Sequence, residues 1–192
     1  MEYLTAAHAA GMVTIMNPSP LPVAEQMRAF PWEKLTWLIV NEGEARGLLA
    51  GVRDPHTLDV VEPVLPLEGA EAQAQDWVSI CSAHTIGSKL ASHPRFKDLN
   101  IICTLGSAGL VAFLPLTRAV GKGALYLPAA KLDGPVVDTT GAGDCFTGYF
   151  VSGLMSLKQG RKEDLVDVLN TSIKVRLFKT SQHRILTWQR GC

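Results

Sequence analysis

Short apolar runs alternate along the chain with longer segments in which apolar residues recur every three or four positions. The runs predict buried strands of a mostly parallel sheet, because strands that are covered on both faces are apolar throughout. The predicted strands cover residues 12–16, 35–40, 99–104, 110–113 and 125–128. Pro128 favours an edge position for the last strand, since proline cannot donate a backbone hydrogen bond to a neighbour.

The segments with helical spacing separate these strands. The predicted helices cover residues 1–10, 23–30, 44–50, 71–90, 144–157 and 162–178. Strands and helices in alternation are typical of α/β proteins, in which ligands bind beyond the carboxyl ends of the parallel strands. The polar residues that follow the strands are therefore the first candidates for function.

One strand-to-helix turn has the features of an anion-binding site. Val136 and Val137 run into the polar turn 138–140, two glycines and an alanine follow, and an apolar helical pattern begins after Asp144. Such a turn directs free backbone N–H groups and the positive end of the helix dipole at one place, which suits a phosphate group. A carboxylate beside a phosphate is suited to take a proton from an attacking hydroxyl. The alternative is an ordinary turn between a strand and a helix.

This stretch resembles the C-terminal signature of the ribokinase-like (PfkB) family of carbohydrate and nucleoside kinases, Asp-Thr-x-Gly-Ala-Gly-Asp-x-Phe-x-Gly. The matching residues are Asp138, Thr139, Gly141, Ala142, Gly143, Asp144, Phe146 and Gly148. Tyr149 departs from the family pattern, which has a small residue there. The resemblance implies a three-layer αβα fold with a mostly parallel sheet. It also implies ATP-dependent transfer of the γ-phosphate to a hydroxyl of a sugar or related small molecule.

The resemblance assigns roles within the signature. Asp144 would be the general base, and the N–H groups of Gly141, Ala142 and Gly143 would stabilise charge on the transferred phosphoryl group. Asp138 matches a family ligand for a monovalent cation, which implies K⁺. The small residues and Gly-Ala turn that complete that cation loop in the family have no counterpart in this chain.

A second family motif, Asn-x-x-Glu, is matched by Asn41 and Glu44 at the end of the predicted strand 35–40. The resemblance implies that Asn41 serves the phosphates and that Glu44 helps to hold the Mg²⁺ that accompanies ATP. One carboxylate suffices, because Mg²⁺ keeps several of its waters. The alternative makes Asn41 a helix cap and Glu44 a first-turn acid that interacts with the helix dipole.

A third family feature, Thr-Leu-Gly-x-x-Gly, follows the predicted strand 99–104. It is matched by Thr104, Leu105, Gly106 and Gly109, and the resemblance places it along the ATP site. A plain glycine turn is the alternative. It explains the two glycines but not their order among the other motifs.

Composition limits the classes of partner and the cellular compartment that the sequence supports. The chain has 192 residues, 47% of them hydrophobic, and a formal net charge of +0. A neutral chain gives no support for binding to nucleic acid or to a membrane surface. The cysteines form no C-x-x-C pair, which favours reduced thiols and a cytoplasmic protein.

The resemblance covers only the C-terminal part of the family fold. Residues 1–178 are expected to form that part of a kinase domain, without the family's N-terminal strands and β lid, and residues 179–192 to form a divergent tail. An alternative function follows, a catalytically inactive isoform or fragment that retains at most nucleotide binding. The identity of the sugar or alcohol and the oligomeric state cannot be read from the sequence.

Overall fold

A computed structural model describes residues 2–52, 67–68, 77–119, 123–130, 139–158 and 164–181. The chain divides into two units, Met1–Pro128 and Ala129–Cys192. In its described part, the first unit contains a sheet with helices and the second contains a pair of helices. The predicted domain over residues 1–178 spans both units and stays a prediction.

The first unit alternates helices and strands as the apolar pattern predicts. Its helices are α1 (Glu2–Ala9), α2 (Ala24–Ala29), α3 (Glu42–Val52), α4 (Trp77–Ser92) and α5 (Pro115–Ala119). Its strands are β1 (Ile15–Met16), β2 (Trp37–Asn41), β3 (Leu67–Glu68), β4 (Asn100–Thr104), β5 (Leu110–Phe113) and β6 (Ala124–Leu127). Single 3₁₀ turns cover Trp32–Lys34 and Gly106–Ala108.

The described strands form one mixed sheet in the order β1-β2-β4-β5-β6-β3. The pairs β1–β2, β2–β4 and β3–β6 are parallel, whereas β5 runs antiparallel to both β4 and β6. This arrangement confirms the predicted α/β class with a mostly parallel sheet. The predicted edge position of the last strand is wrong, because β6 lies between β5 and β3. Pro128 follows the last residue of β6, so the ladder does not need its missing N–H.

The core of the first unit lies between the sheet and the helices α3 and α4. Val40, Cys103 and Val111 are register neighbours on β2, β4 and β5, and all three are fully buried. They belong to one apolar cluster with residues of both helices. Helix α4 approaches β5 closely at Gly87, where an added Cβ would lie 2.2 Å from the ring of Phe113. The site-bearing ends of β2 and β4 therefore rest on a tightly packed core.

Alternate residues of the same strands are buried as well. Ile39, Ile102 and Ala112 are each no more than 1% exposed. Burial on both faces explains why these strands are apolar throughout.

Element boundaries differ from the predictions in places. The predicted strand 12–16 is paired only over Ile15–Met16. The predicted helix 71–90 is observed over Trp77–Ser92, and its first residues lie outside the described part. Helix α5 carries no apolar period and was not predicted.

The second unit contains helices α6 (Ala142–Lys158) and α7 (Leu165–Ser181). They pack closely, since a Cβ at Gly153 of α6 would lie 2.5 Å from Val168 of α7. Helix α7 continues three residues past the predicted tail boundary, and the rest of that tail lies outside the described residues. Among the helices that the structure describes, none is both long and apolar enough to cross a membrane.

Candidate functional site

The start of α6 is a sharp turn built on Gly141. This residue has a φ of +69°, in the left-handed region that favours glycine. The N–H of Ala142 donates to the carbonyl of Thr139 at 3.0 Å, and the N–H of Cys145 donates to the carbonyl of Gly141 at 3.0 Å. The second bond is the first regular one of the helix, so Gly141 occupies the N-cap position without a capping side chain.

This geometry leaves donors exposed at the helix start. Gly143 and Asp144 are exposed, and their N–H groups have no acceptor within the described residues. Of the three N–H groups that the sequence predicts to bind an anion, the one on Ala142 donates to Thr139 in this structure. The free donors and the positive end of a 17-residue helix still form a place where an anion is stabilised.

The Asp144 carboxylate stands beside these donors. Its side chain is exposed and makes no hydrogen bond to any residue that the structure describes. The backbone beneath it is anchored by Phe146 and Phe150, which are buried and stack with ring centroids 6.2 Å apart. Within the described residues, Asp144 is thus an unpaired carboxylate in the first turn of a helix, which is suited to proton transfer at a bound anion.

Asn41 and Glu44 form a second helix start. The N–H of Glu44 donates to Oδ1 of Asn41 at 2.8 Å, and the N–H of Asn41 donates to Oε2 of Glu44 at 2.9 Å. This reciprocal pair is a capping box on α3. The capping alternative from the sequence is therefore observed, and the roles of the two residues toward phosphate and Mg²⁺ stay predictions.

The capping box does not use the whole Glu44 carboxylate. Within the part of the chain that the structure describes, its Oε1 makes no hydrogen bond, so one oxygen remains for a cation that needs a single protein carboxylate. In the described ranges there is no group of three or more His, Cys, Asp or Glu side chains placed to hold a metal. The described residues therefore contain no metal site whose ligands are three or more of these side chains.

Thr104 lies beside Asn41, as expected for the ends of parallel strands. The two residues are register partners on β4 and β2. The Thr104 side chain is buried, and its hydroxyl donates to the carbonyl of Val40 at 3.4 Å. Its hydroxyl therefore links the two strands, while its backbone leads into the glycine loop.

The glycine loop 105–109 folds on itself. The N–H of Leu105 donates to the carbonyl of Gly109 at 2.8 Å, and Gly106 and Gly109 have φ values of +60° and +100°. The backbone at Gly109 lies in a region that is essentially restricted to glycine. Gly106 and Ser107 are exposed, and their N–H groups have no acceptor in the described part of the chain. Two backbone donors of this exposed loop segment are thus without an acceptor there.

Two features near these motifs had no signal in the sequence. The hydroxyl of Tyr126 on β6 donates to the carbonyl of Ala108 in the glycine loop at 2.8 Å. Burial, together with the charges of Glu42 and Glu44, raises the pKa of the Cys103 thiol from an ordinary value of 9.0 to about 12. The hydrogen bond and the pKa shift both depend on residues that are far apart in the chain.

The structure describes the predicted site in two parts. Asn41, Glu44 and the loop 105–109 belong to the first unit, and the turn 139–144 belongs to the second. Asp138, the predicted K⁺ ligand, lies outside the described residues.

The order of these motifs agrees with a match over most of the chain. A family model, pfkB family carbohydrate kinase, matches residues 1–171. The chain belongs to this family. Within the pfkB family, the chain is 32% identical over 152 residues to a ribokinase of Schizosaccharomyces pombe, covering 79% of this chain and 37% of that protein.

Solved structures show the same fold. A ribokinase from Cryptococcus neoformans var. grubii serotype A, in complex with ADP, is 38% identical with a TM-score of 0.72. The match covers 94% of this chain and 50% of that one. An adenosine kinase from Anopheles gambiae is 20% identical with a TM-score of 0.62, covering 96% of this chain and 46% of that one. The predicted ribokinase-like fold class is confirmed, and this pfkB chain spans about half the length of such relatives or less.

Proposed function

We propose that this chain is an ATP-dependent phosphotransferase that transfers the γ-phosphate to a hydroxyl of a sugar or related small molecule. The observation that carries the proposal is the start of α6. There an unengaged carboxylate, Asp144, adjoins backbone donors that have no acceptor in the described residues. Family membership and a ribokinase relative in complex with ADP support the same reaction.

The chemistry follows from the two groups at this helix start. Asp144 takes the proton of the acceptor hydroxyl while that oxygen forms a bond to the γ-phosphorus. The bond from the γ-phosphorus to its bridging oxygen breaks, and ADP leaves with the electron pair. The N–H groups at Gly141 and Gly143 and the helix dipole stabilise the charge on the phosphoryl oxygens during transfer.

The first unit supplies the nucleotide contacts in this proposal. The N–H groups of Gly106 and Ser107, which have no acceptor within the described residues, would bind the nucleotide, and Asn41 would serve its phosphates. Glu44 would hold Mg²⁺ through its Oε1, directly or through water. Mg²⁺, when bound, neutralises phosphate charge. A cytoplasmic location is part of the proposal, since the reaction consumes ATP.

The test compares two aspartates that occupy the same helical position. Asp144 and Asp167 are each the third residue of a 17-residue helix, and both are exposed. We expect Asp144→Asn to lower kcat by about a hundredfold or more, because it removes the base. ADP binding should be unchanged. Asp167→Asn should retain full turnover.

The measurement is a coupled assay for ADP release with ribose as the first acceptor, paired with calorimetric titration of ADP and Mg²⁺. If Asp144→Asn turns over as fast as the unmodified chain, Asp144 is not the base and the proposal is wrong. If the unmodified chain binds ADP but transfers phosphate to no sugar or nucleoside offered, the catalytically inactive alternative is correct.

A further inference from the structure

The hydrogen bond between Tyr126 and Ala108 connects the sheet to the glycine loop. The phenol donates to the main-chain carbonyl at 2.8 Å, across 18 residues of sequence. A carbonyl oxygen can only accept, so the tyrosine hydroxyl is the donor.

The ring of Tyr126 is fixed by its place in the sheet. Register pairing runs from Cys103 to Val111 and from Val111 to Tyr126, so these residues form one row across β4, β5 and β6. Tyr126 is partly buried and packs against the apolar cluster of that face. Because the ring rests on a packed core, its hydroxyl has a defined position relative to the strands.

The hydroxyl bonds to the residue that follows Gly106 and Ser107, whose N–H groups have no acceptor within the described residues. The N–H of Ala108 donates to the carbonyl of Leu105 at 3.1 Å, and the carbonyl of Ala108 accepts from Tyr126 at 2.8 Å. Ala108 is therefore held on both sides, and it is 4% exposed. Gly106 and Ser107 come just before it and stay exposed. Their orientation depends on where Ala108 is fixed.

We infer that Tyr126 is a positioning residue for nucleotide binding. Its hydroxyl fixes Ala108, and so presents the N–H groups of Gly106 and Ser107 to a bound nucleoside diphosphate. The inference rests on the proposed function, which assigns the nucleotide to this loop. The inference goes beyond that function by adding Tyr126 on β6, which would act on the nucleotide only through the loop backbone.

The test is Tyr126→Phe in the full 192-residue chain, since this variant keeps the ring and removes only the hydroxyl. We expect ADP with Mg²⁺ to bind about fivefold more weakly, the effect of losing one hydrogen bond. The matched control is Tyr3→Phe, because Tyr3 is 92% exposed on α1. The control should bind ADP as the unmodified chain does. Titrations are made well below the unfolding temperature of each protein.

Amide hydrogen exchange supplies a second measurement. In Tyr126→Phe, exchange should quicken in the loop 106–109 and stay the same in β5. A purely structural tyrosine would lower the unfolding temperature and leave the ADP dissociation constant unchanged, and that result would overturn the inference alone. If the unmodified chain does not bind ADP, the proposed nucleotide site is wrong and the inference is wrong with it.

Discussion

Helices α6 and α7 have the same length and an aspartate at the same position, yet they begin differently. At α7 the N–H of Asp167 donates to Oδ1 of Asp164 at 2.9 Å, and the N–H of Asp164 donates to Oδ2 of Asp167 at 3.4 Å. At α6 the residue in the place of Asp164 is Gly141, which has no side chain to offer. Asp144 makes no corresponding bond within the described residues.

The residue at the N-cap position decides whether the acid three residues later stabilises the helix start or stays available for chemistry. Where Asp or Asn precedes a helical acid by three residues, as at Asp164 and Asn41, the acid closes the helix start. Where glycine precedes it, as at Gly141, the acid and the N–H groups of Gly143 and Asp144 have no partner within the described residues. Helix α6 therefore lacks the stabilisation of a capping side chain, but a carboxylate remains beside its positive end.

The largest expected effect on stability comes from replacing the glycine that keeps α6 open. Gly141→Ala places a Cβ at a φ of +69°, where an L-residue is strained. The turn should relax and move the N–H groups that follow, so we expect turnover to fall by about a hundredfold. Stability should fall by about 1–2 kcal/mol. Coupled kinetic assays and urea unfolding measure the two effects.

Gly148 of α6 provides the control, since a Cβ there meets nothing within 4 Å. Gly148→Ala should raise stability by up to about 1 kcal/mol, because alanine has the higher helix propensity. Equal turnover in Gly141→Ala and the unmodified chain would mean that the left-handed turn is irrelevant to the chemistry.

The acids at the start of α3 affect the pKa of Cys103, and this effect can be measured as a dependence of stability on pH. The charges of Glu42 and Glu44 add to burial in raising the Cys103 pKa to about 12 from an ordinary value of 9.0. The folded state therefore keeps a proton that the unfolded state releases above pH 9. This contribution to stability is complete below pH 9 and is lost as the pH rises toward 12. Its slope approaches about 1.4 kcal/mol per pH unit.

Cys103→Ala removes that dependence. The variant should be less stable at neutral pH by about 1 kcal/mol, and its deficit should shrink as the pH rises above 9. Cys145→Ala, which alters a half-buried thiol in the first turn of α6, is the matched control. Urea unfolding at a series of pH values gives the curves. A constant deficit for Cys103→Ala between pH 8 and 11 would contradict the raised pKa.

Much of this molecule could be predicted from local signals. Apolar runs located β2, β4 and β5 because both faces of those strands are buried. Glycines at 106, 109 and 141 marked backbone with positive φ, which few other residues adopt. The spacing of Asn41 and Glu44 indicated a helix cap as well as a ligand, and the structure contains the cap.

The rest depends on contacts between distant parts of the chain. Pro128 favoured an edge strand in the sequence, but β6 pairs with both β3 and β5. That pairing depends on contacts with other strands, which the local sequence does not contain. The bond from Tyr126 to Ala108 needs the register of two antiparallel strands, which no local pattern gives. The raised pKa of the Cys103 thiol likewise depends on its burial in the assembled core and on two acids from another part of the chain.

The smallest expected effect on stability gives the strictest test of the comparison between α6 and α7. Asp164→Ala removes the cap of α7 and should lower the free energy of unfolding by about 1 kcal/mol, while turnover is unchanged. Asp144→Ala removes an acid that caps nothing. Its stability should change by less than about 0.5 kcal/mol, because alanine's higher helix propensity offsets a lost dipole interaction, while turnover should be lost. Urea unfolding and coupled kinetics on both variants measure this double dissociation. If Asp144→Ala proves as destabilising as Asp164→Ala, then Asp144 supports the helix start, and the distinction between an open and a closed start is wrong.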